Sequence, residues 1–168
     1  MRLLNSIAIS FLNLALLANC TSRTAATNVS NETILIYSMK WDLSMHDCIS
    51  IVVNRKRLAE ACDEVFDRVR DAGGSLFANK DRSIYYIAFT IGINRIDIQN
   101  KKIDHVCNLD DEIARNLDYI GYFGLTDFDN RVSRRGDDVT FTPVGQTPPI
   151  LRYYRAPGRI EELKDRCG

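Results

Sequence analysis

The sequence predicts an α+β domain in which a mainly antiparallel sheet packs against two main helices and a short C-terminal helix. Segments rich in β-branched and aromatic residues recur along the chain with tight connections, and two other segments carry apolar residues at helical spacing. Neighbouring strands with short connections pair antiparallel, and strands mixed with helices in this way are typical of α+β folds. A split β-α-β core of the ferredoxin-like kind is one of many layouts that fit this order.

The first half of the chain opens with two predicted strands, residues 32–41 and 48–53, followed by the clearest predicted helix. This helix begins at Asn54 as N-cap and ends at Gly73-Gly74. Its apolar face consists of Leu58, Ala61, Cys62, Val65, Phe66, Val69 and Ala72.

Further elements follow the first helix. Short strands are predicted at residues 75–78, 83–91, 95–99 and 102–106. A second helix begins at Asn108 and places Leu109, Ile113, Leu117 and Ile120 on one face. The last predicted elements are strands at 139–144 and 150–154 and a short helix at 159–166.

The N-terminus predicts export. After Met1 and Arg2, an interrupted apolar run ends at Ala18, which is typical of a secretory signal peptide and too short for a membrane span. We expect signal peptidase to cut after Cys20, or as late as Ala26. Ordinary secretion into the extracellular space is therefore the favoured localisation.

Acylation is the alternative fate of the leader. Leu17-Ala18-Asn19-Cys20 resembles a bacterial lipobox, but Asn19 stands where a small residue is expected. A lipid anchor at Cys20 would instead make the protein a periplasmic or membrane-anchored lipoprotein of the cell envelope.

The remaining chain fits a single domain. With the leader at 1–20, we expect a polar linker at 21–31 and one disulfide-stabilised domain at 32–168, since a chain of 168 residues supports one core.

Cysteine usage agrees with an oxidising compartment. Removing Cys20 from the five cysteines leaves an even number, as two disulfides require. These four are Cys48, Cys62, Cys107 and Cys167. Packed layers are about 10 Å apart, whereas a disulfide needs Cα atoms within about 7 Å, so a strand-to-helix bond between Cys48 and Cys62 is disfavoured. Two pairings remain open, in which Cys48 bonds Cys107 and Cys62 bonds Cys167, or Cys48 bonds Cys167 and Cys62 bonds Cys107.

Each of the two histidines precedes a cysteine by two residues, as His46 precedes Cys48 and His105 precedes Cys107. Residues i and i+2 of a strand share a face, so the four side chains could form a Cys2His2 zinc site. In an exported protein the cysteines are expected to oxidise instead. We therefore expect no metal and no cofactor, and keep an exported enzyme or zinc protein using His46 and His105 as an alternative.

Two surface features bear on partners. Asn28 and Asn31 begin N-glycosylation triplets, which are meaningful in a eukaryotic source. A cluster of arginines and tyrosines suits a macromolecular ligand, preferably protein. The cluster comprises Arg131, Arg134, Arg135, Arg152, Tyr153, Tyr154 and Arg155.

Overall charge and the lack of catalytic motifs narrow the function class. Twenty-two basic and 22 acidic residues cancel, which argues against nucleic-acid binding. The sequence contains no G-x-S-x-G motif, and four cysteines in two disulfides leave no catalytic thiol. We therefore favour a small secreted binding protein, of the extracellular effector, toxin or inhibitor type, over an enzyme.

Overall fold

The computed structural model describes residues 23–41, 45–65, 73–89, 92–125, 139–146 and 158–164. Most of these residues are in β-strands. The strands are β1 (Arg23–Asn28), β2 (Thr33–Trp41), β3 (Met45–Val53), β4 (Lys56–Val65), β5 (Gly74–Ala78), β6 (Ile84–Ala88), β7 (Ile93–Asp97), β8 (Lys102–Val106), β9 (Asp118–Leu125) and β10 (Val139–Pro143). A five-residue helix, α1 (Asp111–Arg115), and a 3-10 turn, Ile160–Leu163, complete the described elements.

The strands form two sheets in which every described pairing is antiparallel. Sheet A has the order β1-β2-β3-β4, and sheet B has the order β10-β9-β5-β6-β7-β8. Strand β1 lies beside β10, and β4 lies beside β8, so the two sheets meet along both sides. The arrangement is a sandwich of four strands on six.

Alternating residues of the two sheets build the core between them. Leu35, Tyr37 and Ile49 of sheet A and Leu76 and Ile87 of sheet B are fully buried in one cluster. Successive residues of a strand point to opposite faces, so the pairing register of each strand determines which of its side chains point into the core.

A thin second layer covers the outer face of sheet B. Phe77 and Ile93 of the sheet pack there with Leu109, Ala114 and Leu163. The Leu109 amide donates to the Leu163 carbonyl at 3.0 Å, which ties the 3-10 turn to the segment before α1. The central strands β5, β6 and β7 of sheet B are thus buried on both faces, which explains the continuous apolar content of β5 and β6.

The predicted α+β class is wrong, because the first main helix does not form. Residues 56–65 are β4, paired with β3 across the two-residue loop Asn54 and Arg55. Alanine, glutamate and lysine favour helices, but pairing with an apolar strand overrides such preferences. Ala59 and Ala61 then pack against the core on one face, as the period of two requires.

The second predicted helix is also largely absent. It shrinks to α1, where Ile113 is 45% exposed, and residues from Asp118 onward belong to β9. Residues 23–28, assigned from sequence to a polar linker, form edge strand β1. The predicted strands at 32–41, 75–78 and 102–106 agree closely with β2, β5 and β8.

The described part of the chain has no helix with the length and apolar character needed to cross a membrane.

Candidate functional site

The structure corrects the disulfide pairing. Cys48 and Cys62 are bonded to each other, as directly opposed residues of β3 and β4 whose Cα atoms are 4.0 Å apart. The pairing was disfavoured on the premise of a helix at Cys62. In a hairpin the two chains are neighbours, so both predicted pairings that involve Cys48 are wrong. Cys107 is also disulfide-bonded, whereas Cys167 lies outside the described residues.

The two histidine-cysteine pairs do not meet in one site. His46 and Cys48 lie on the outer face of sheet A, since they alternate with the buried Asp47 and Ile49. His105 instead faces inward on sheet B, beside Asp63. Both cysteines are oxidised and cannot act as thiolate ligands. The described residues contain no group of three or more potential ligands placed to hold a metal ion.

The arginine and tyrosine cluster at 131–155 lies outside the described residues. Asn28 and Asn31, the predicted glycosylation sites, are exposed at the end of β1 and in the turn before β2. Their modification stays a prediction.

A buried carboxylate, that of Asp47, lies between the two sheets. The sequence did not single out this position as functional. The Tyr37 hydroxyl donates to Asp47 Oδ1 at 2.6 Å, and the Gly73 amide donates to Asp47 Oδ2 at 3.1 Å. Gly73 adopts φ +112°, and a Cβ there would meet the Phe123 carbonyl oxygen at 2.3 Å. Only glycine therefore brings this amide to the carboxylate.

Burial dominates the electrostatics of this group. It raises the pKa of Asp47 to about 6, against the lowering effect of the Tyr37 and Gly73 hydrogen bonds, and Asp63 raises the value further. Burial and the neighbouring Asp47 also raise the pKa of the Tyr37 phenol. Asp47 is consequently a carboxyl that gains a proton near neutral pH.

A second polar contact crosses the sheets at the β4 and β8 edge. Asn94 Nδ2 donates to Asp63 Oδ2 at 2.7 Å, and His105 Nδ1 lies 3.6 Å from Asp63 Oδ1. Both contacts join sheet A to sheet B. We interpret these groups as polar contacts that hold the two sheets together at this edge, although the buried Asn94 Oδ1 accepts no hydrogen bond from the described residues.

One end of the sandwich gathers four hairpin turns. We call it the turn end, made of residues 29–32, 54–55, 79–83 and 98–101 together with Lys56, the first residue of β4. The Asn54 amide donates to the Glu32 carbonyl at 3.3 Å, and the Ile98 amide donates to the Ser83 carbonyl at 3.0 Å. The Tyr85 hydroxyl reaches the Val29 carbonyl at 3.4 Å and links the turns of the two sheets.

Left-handed backbone is concentrated at the turn end. Among the described residues, every non-glycine residue with positive φ lies there: Asn54 (φ 49°), Arg55 (φ 66°), Arg82 (φ 59°) and Lys101 (φ 55°). Asn54 and Arg55 have the φ pattern of a type I′ turn, in which the second position favours glycine. Arginine and lysine in this conformation cost about 1 to 2 kcal/mol each. Strain of this kind is commonly found at binding and active sites.

The turn end is also cationic. In the described part of the chain, no carboxylate lies within ion-pair distance of four exposed cations there. They are Arg55, Lys56, Arg82 and Lys101. Elsewhere the described lysines and arginines commonly do pair, as Lys40 does with Glu60 and Lys164 with Asp111.

The carboxylates of the turn end are fewer than its cations. Asp118 pairs with Lys80 at 2.7 Å, and Asp81 accepts hydrogen bonds from Ser83. Glu32 is exposed in the first turn. The turn end therefore keeps an excess of positive charge in a chain whose formal net charge is zero.

A polar groove of about 620 Å³ runs between the first two turns. Three amide side chains, one hydroxyl, one carboxylate and one guanidinium line it together with two aliphatic side chains. The lining residues are Asn28, Val29, Ser30, Asn31, Glu32, Ile34, Asn54 and Arg55. The Ser30 hydroxyl accepts from the Thr33 amide at 3.1 Å and holds one wall in place. The groove is thus an open surface depression whose side-chain lining is mostly polar.

Sequence reasoning missed this surface because it assigned Asn54 to a helix N-cap. An available signal was the apolar run IVV followed by Asn54-Arg55 and a second run in which small apolar residues alternate with charged ones. The turn end as a whole could not be found this way, since its four turns are far apart in sequence.

Comparison with known protein families, with curated proteins and with solved structures finds no match for this chain.

Proposed function

We propose that this protein is exported and acts outside the cell by binding a macromolecular partner through the turn end, as an extracellular effector, toxin or inhibitor would. One observation carries the proposal. Three exposed cations in the hairpin turns, with Lys56 directly beside them, have no carboxylate within ion-pair distance, and hydrogen bonds join these turns at one end of a disulfide-stabilised sandwich.

Two features support export, the leader itself and a disulfide in the domain that follows it. The apolar N-terminal run is typical of a signal peptide, and the Cys48–Cys62 disulfide is of the kind that persists in oxidising compartments. A rigid scaffold that presents its turns at one end is a common design for binding, since loops can vary while the sheets hold them in place.

The strained backbone supports binding over a purely structural role for the turns. A glycine or asparagine at Arg55, Arg82 or Lys101 would relieve the cost of the left-handed conformation. All three side chains are exposed, although Arg82 also interacts with the phenol of the buried Tyr85. Their side chains are available to a partner.

The test is binding of the mature chain to immobilised extracellular matrix. The variant Arg55→Asn/Arg82→Asn removes two turn-end cations, and asparagine tolerates left-handed φ, so the fold is kept. The control Arg115→Gln/Lys164→Gln removes two cations that pair with Asp111 on the outer layer. We expect saturable binding that the first variant weakens and the control does not.

Two results would contradict the proposal: binding that does not saturate, or equal weakening by both variants. Mass spectrometry of the mature N-terminus tests the export route in the same preparation. A diacylglycerol group on Cys20 would replace free secretion with an anchored lipoprotein.

A further inference from the structure

We propose that the partner of the turn end is a sulfated polysaccharide, bound with its sulfate groups on Arg55, Lys56, Arg82 and Lys101 and its sugar hydroxyls in the adjacent groove. The inference rests on the proposed function, because it names the ligand class of that same surface.

The charge of the turn end favours a polyanion. Arg55, Arg82 and Lys101 come from three separate turns, so a ligand that engages all of them must carry several negative groups along its length. Arginine offers a planar fork of donors that matches the oxygens of sulfate-like anions, and lysine adds a point charge. A repeating anionic chain meets this spread of cations better than a single small anion does.

The groove favours sugar over protein. Its polar lining of asparagine and serine side chains, together with Arg55 and the Glu32 carboxylate, supplies both donors and acceptors for hydroxyl groups. Protein interfaces are instead centred on aromatic and aliphatic anchors. Among the described residues of the turn end, no aromatic side chain is exposed.

Direct contacts connect the groove with Arg55 and Arg82. Arg55 lines the groove itself. The hydrogen bond from the Asn54 amide to the Glu32 carbonyl holds the two turns together beside it. Arg82 interacts with the Tyr85 phenol, whose hydroxyl in turn contacts the Val29 carbonyl at the groove wall. A chain lying in the groove can therefore reach cations of both sheets.

The experiment measures binding of the mature chain to heparin and to chemically desulfated heparin, with poly-glutamate and duplex DNA as competing polyanions. We expect heparin to bind, with an affinity that falls steeply as salt rises, and desulfation to abolish binding. Arg55→Asn/Arg82→Asn should weaken heparin binding about ten-fold, and the control Arg115→Gln/Lys164→Gln less than about two-fold.

Several outcomes overturn the inference. Undiminished binding to desulfated heparin would remove the role of sulfate. Tighter binding of poly-glutamate would assign the turn end to an acidic protein, and equal binding of DNA would reduce it to unspecific charge attraction. Matrix binding that needs the turn end but survives enzymatic removal of sulfated polysaccharides would overturn this inference and leave the proposed function standing. Absence of saturable binding of the unaltered protein to intact matrix would overturn the proposed function itself.

Discussion

The hydroxyl of Tyr37 donates a 2.6 Å hydrogen bond to Asp47 in the layer between the two sheets, where both residues are fully buried. The pair joins β2 to β3, and the Gly73 amide extends it to the segment that begins β5. A carboxyl in this position makes stability depend on pH, and the sign follows from its pKa.

We expect the protein to become more stable as the pH falls from about 7 towards 4. Burial raises the pKa of Asp47 from 3.8 to about 6, so the folded chain binds this proton more tightly than the unfolded chain does. The gain begins as the pH falls through about 6 and is complete below about 4, with a size of about 3 kcal/mol. Carboxylates such as Asp118, whose pKa the Lys80 hydrogen bond lowers, change the stability only at pH values below about 4.

The measurement is urea unfolding of the protein and of Asp47→Asn at about pH 7 and about pH 4.5. Because asparagine does not titrate, the variant should lack most of the gain. If both proteins gain equally on acidification, other groups are responsible and the assignment to Asp47 fails.

Breaking the β3 to β4 disulfide should destabilise the fold. The bond closes a loop with a sequence separation of 14, for which the constraint on the unfolded chain is about 3 kcal/mol. We expect Cys48→Ser/Cys62→Ser to lower the free energy of unfolding by about 2 to 4 kcal/mol in urea titrations. Adding a reductant to this variant should change its stability only through the disulfide of Cys107, which provides the control.

Replacing Arg55 should raise the stability of the fold and weaken heparin binding. Arg55→Gly relieves the left-handed conformation at φ 66° and should stabilise the fold by up to about 1 kcal/mol, after the added entropy of glycine in the unfolded chain. The same change should weaken heparin binding, because it removes a cation from the groove. A variant that is both less stable and weaker in binding would show that the side chain mainly supports the turn.

The partner of Cys107 can be predicted by elimination. Since Cys48 bonds Cys62, the disulfide of Cys107 must use Cys20 or Cys167. A mature chain that has lost Cys20 with its leader retains only Cys167. Peptide mapping without reduction should therefore find a Cys107–Cys167 crosslink, and a Cys20–Cys107 peptide would show that the leader is retained.

The sequence by itself determined several strands and their antiparallel pairing. The runs that became β2, β5 and β8 combine β-branched or aromatic residues with close turn signals, and both properties are local. The same is true of the expected oxidised state of Cys48, Cys62 and Cys107, since cysteine number and a leader-like N-terminus need no knowledge of the fold. The pairing of the cysteines was not local information, and it was predicted wrongly.

Only the tertiary structure decided the conformation of residues 56–65 and the location of the turn end. Residues 56–65 fit a helix by composition, and they became a strand because β3 offers an apolar neighbour to pair with across Asn54 and Arg55. The cations of the turn end lie up to 46 residues apart in sequence, and sheet topology alone brings Arg55, Arg82 and Lys101 to one end. Local preference selects among conformations of similar energy, whereas long-range pairing and burial determine which of them the folded chain keeps.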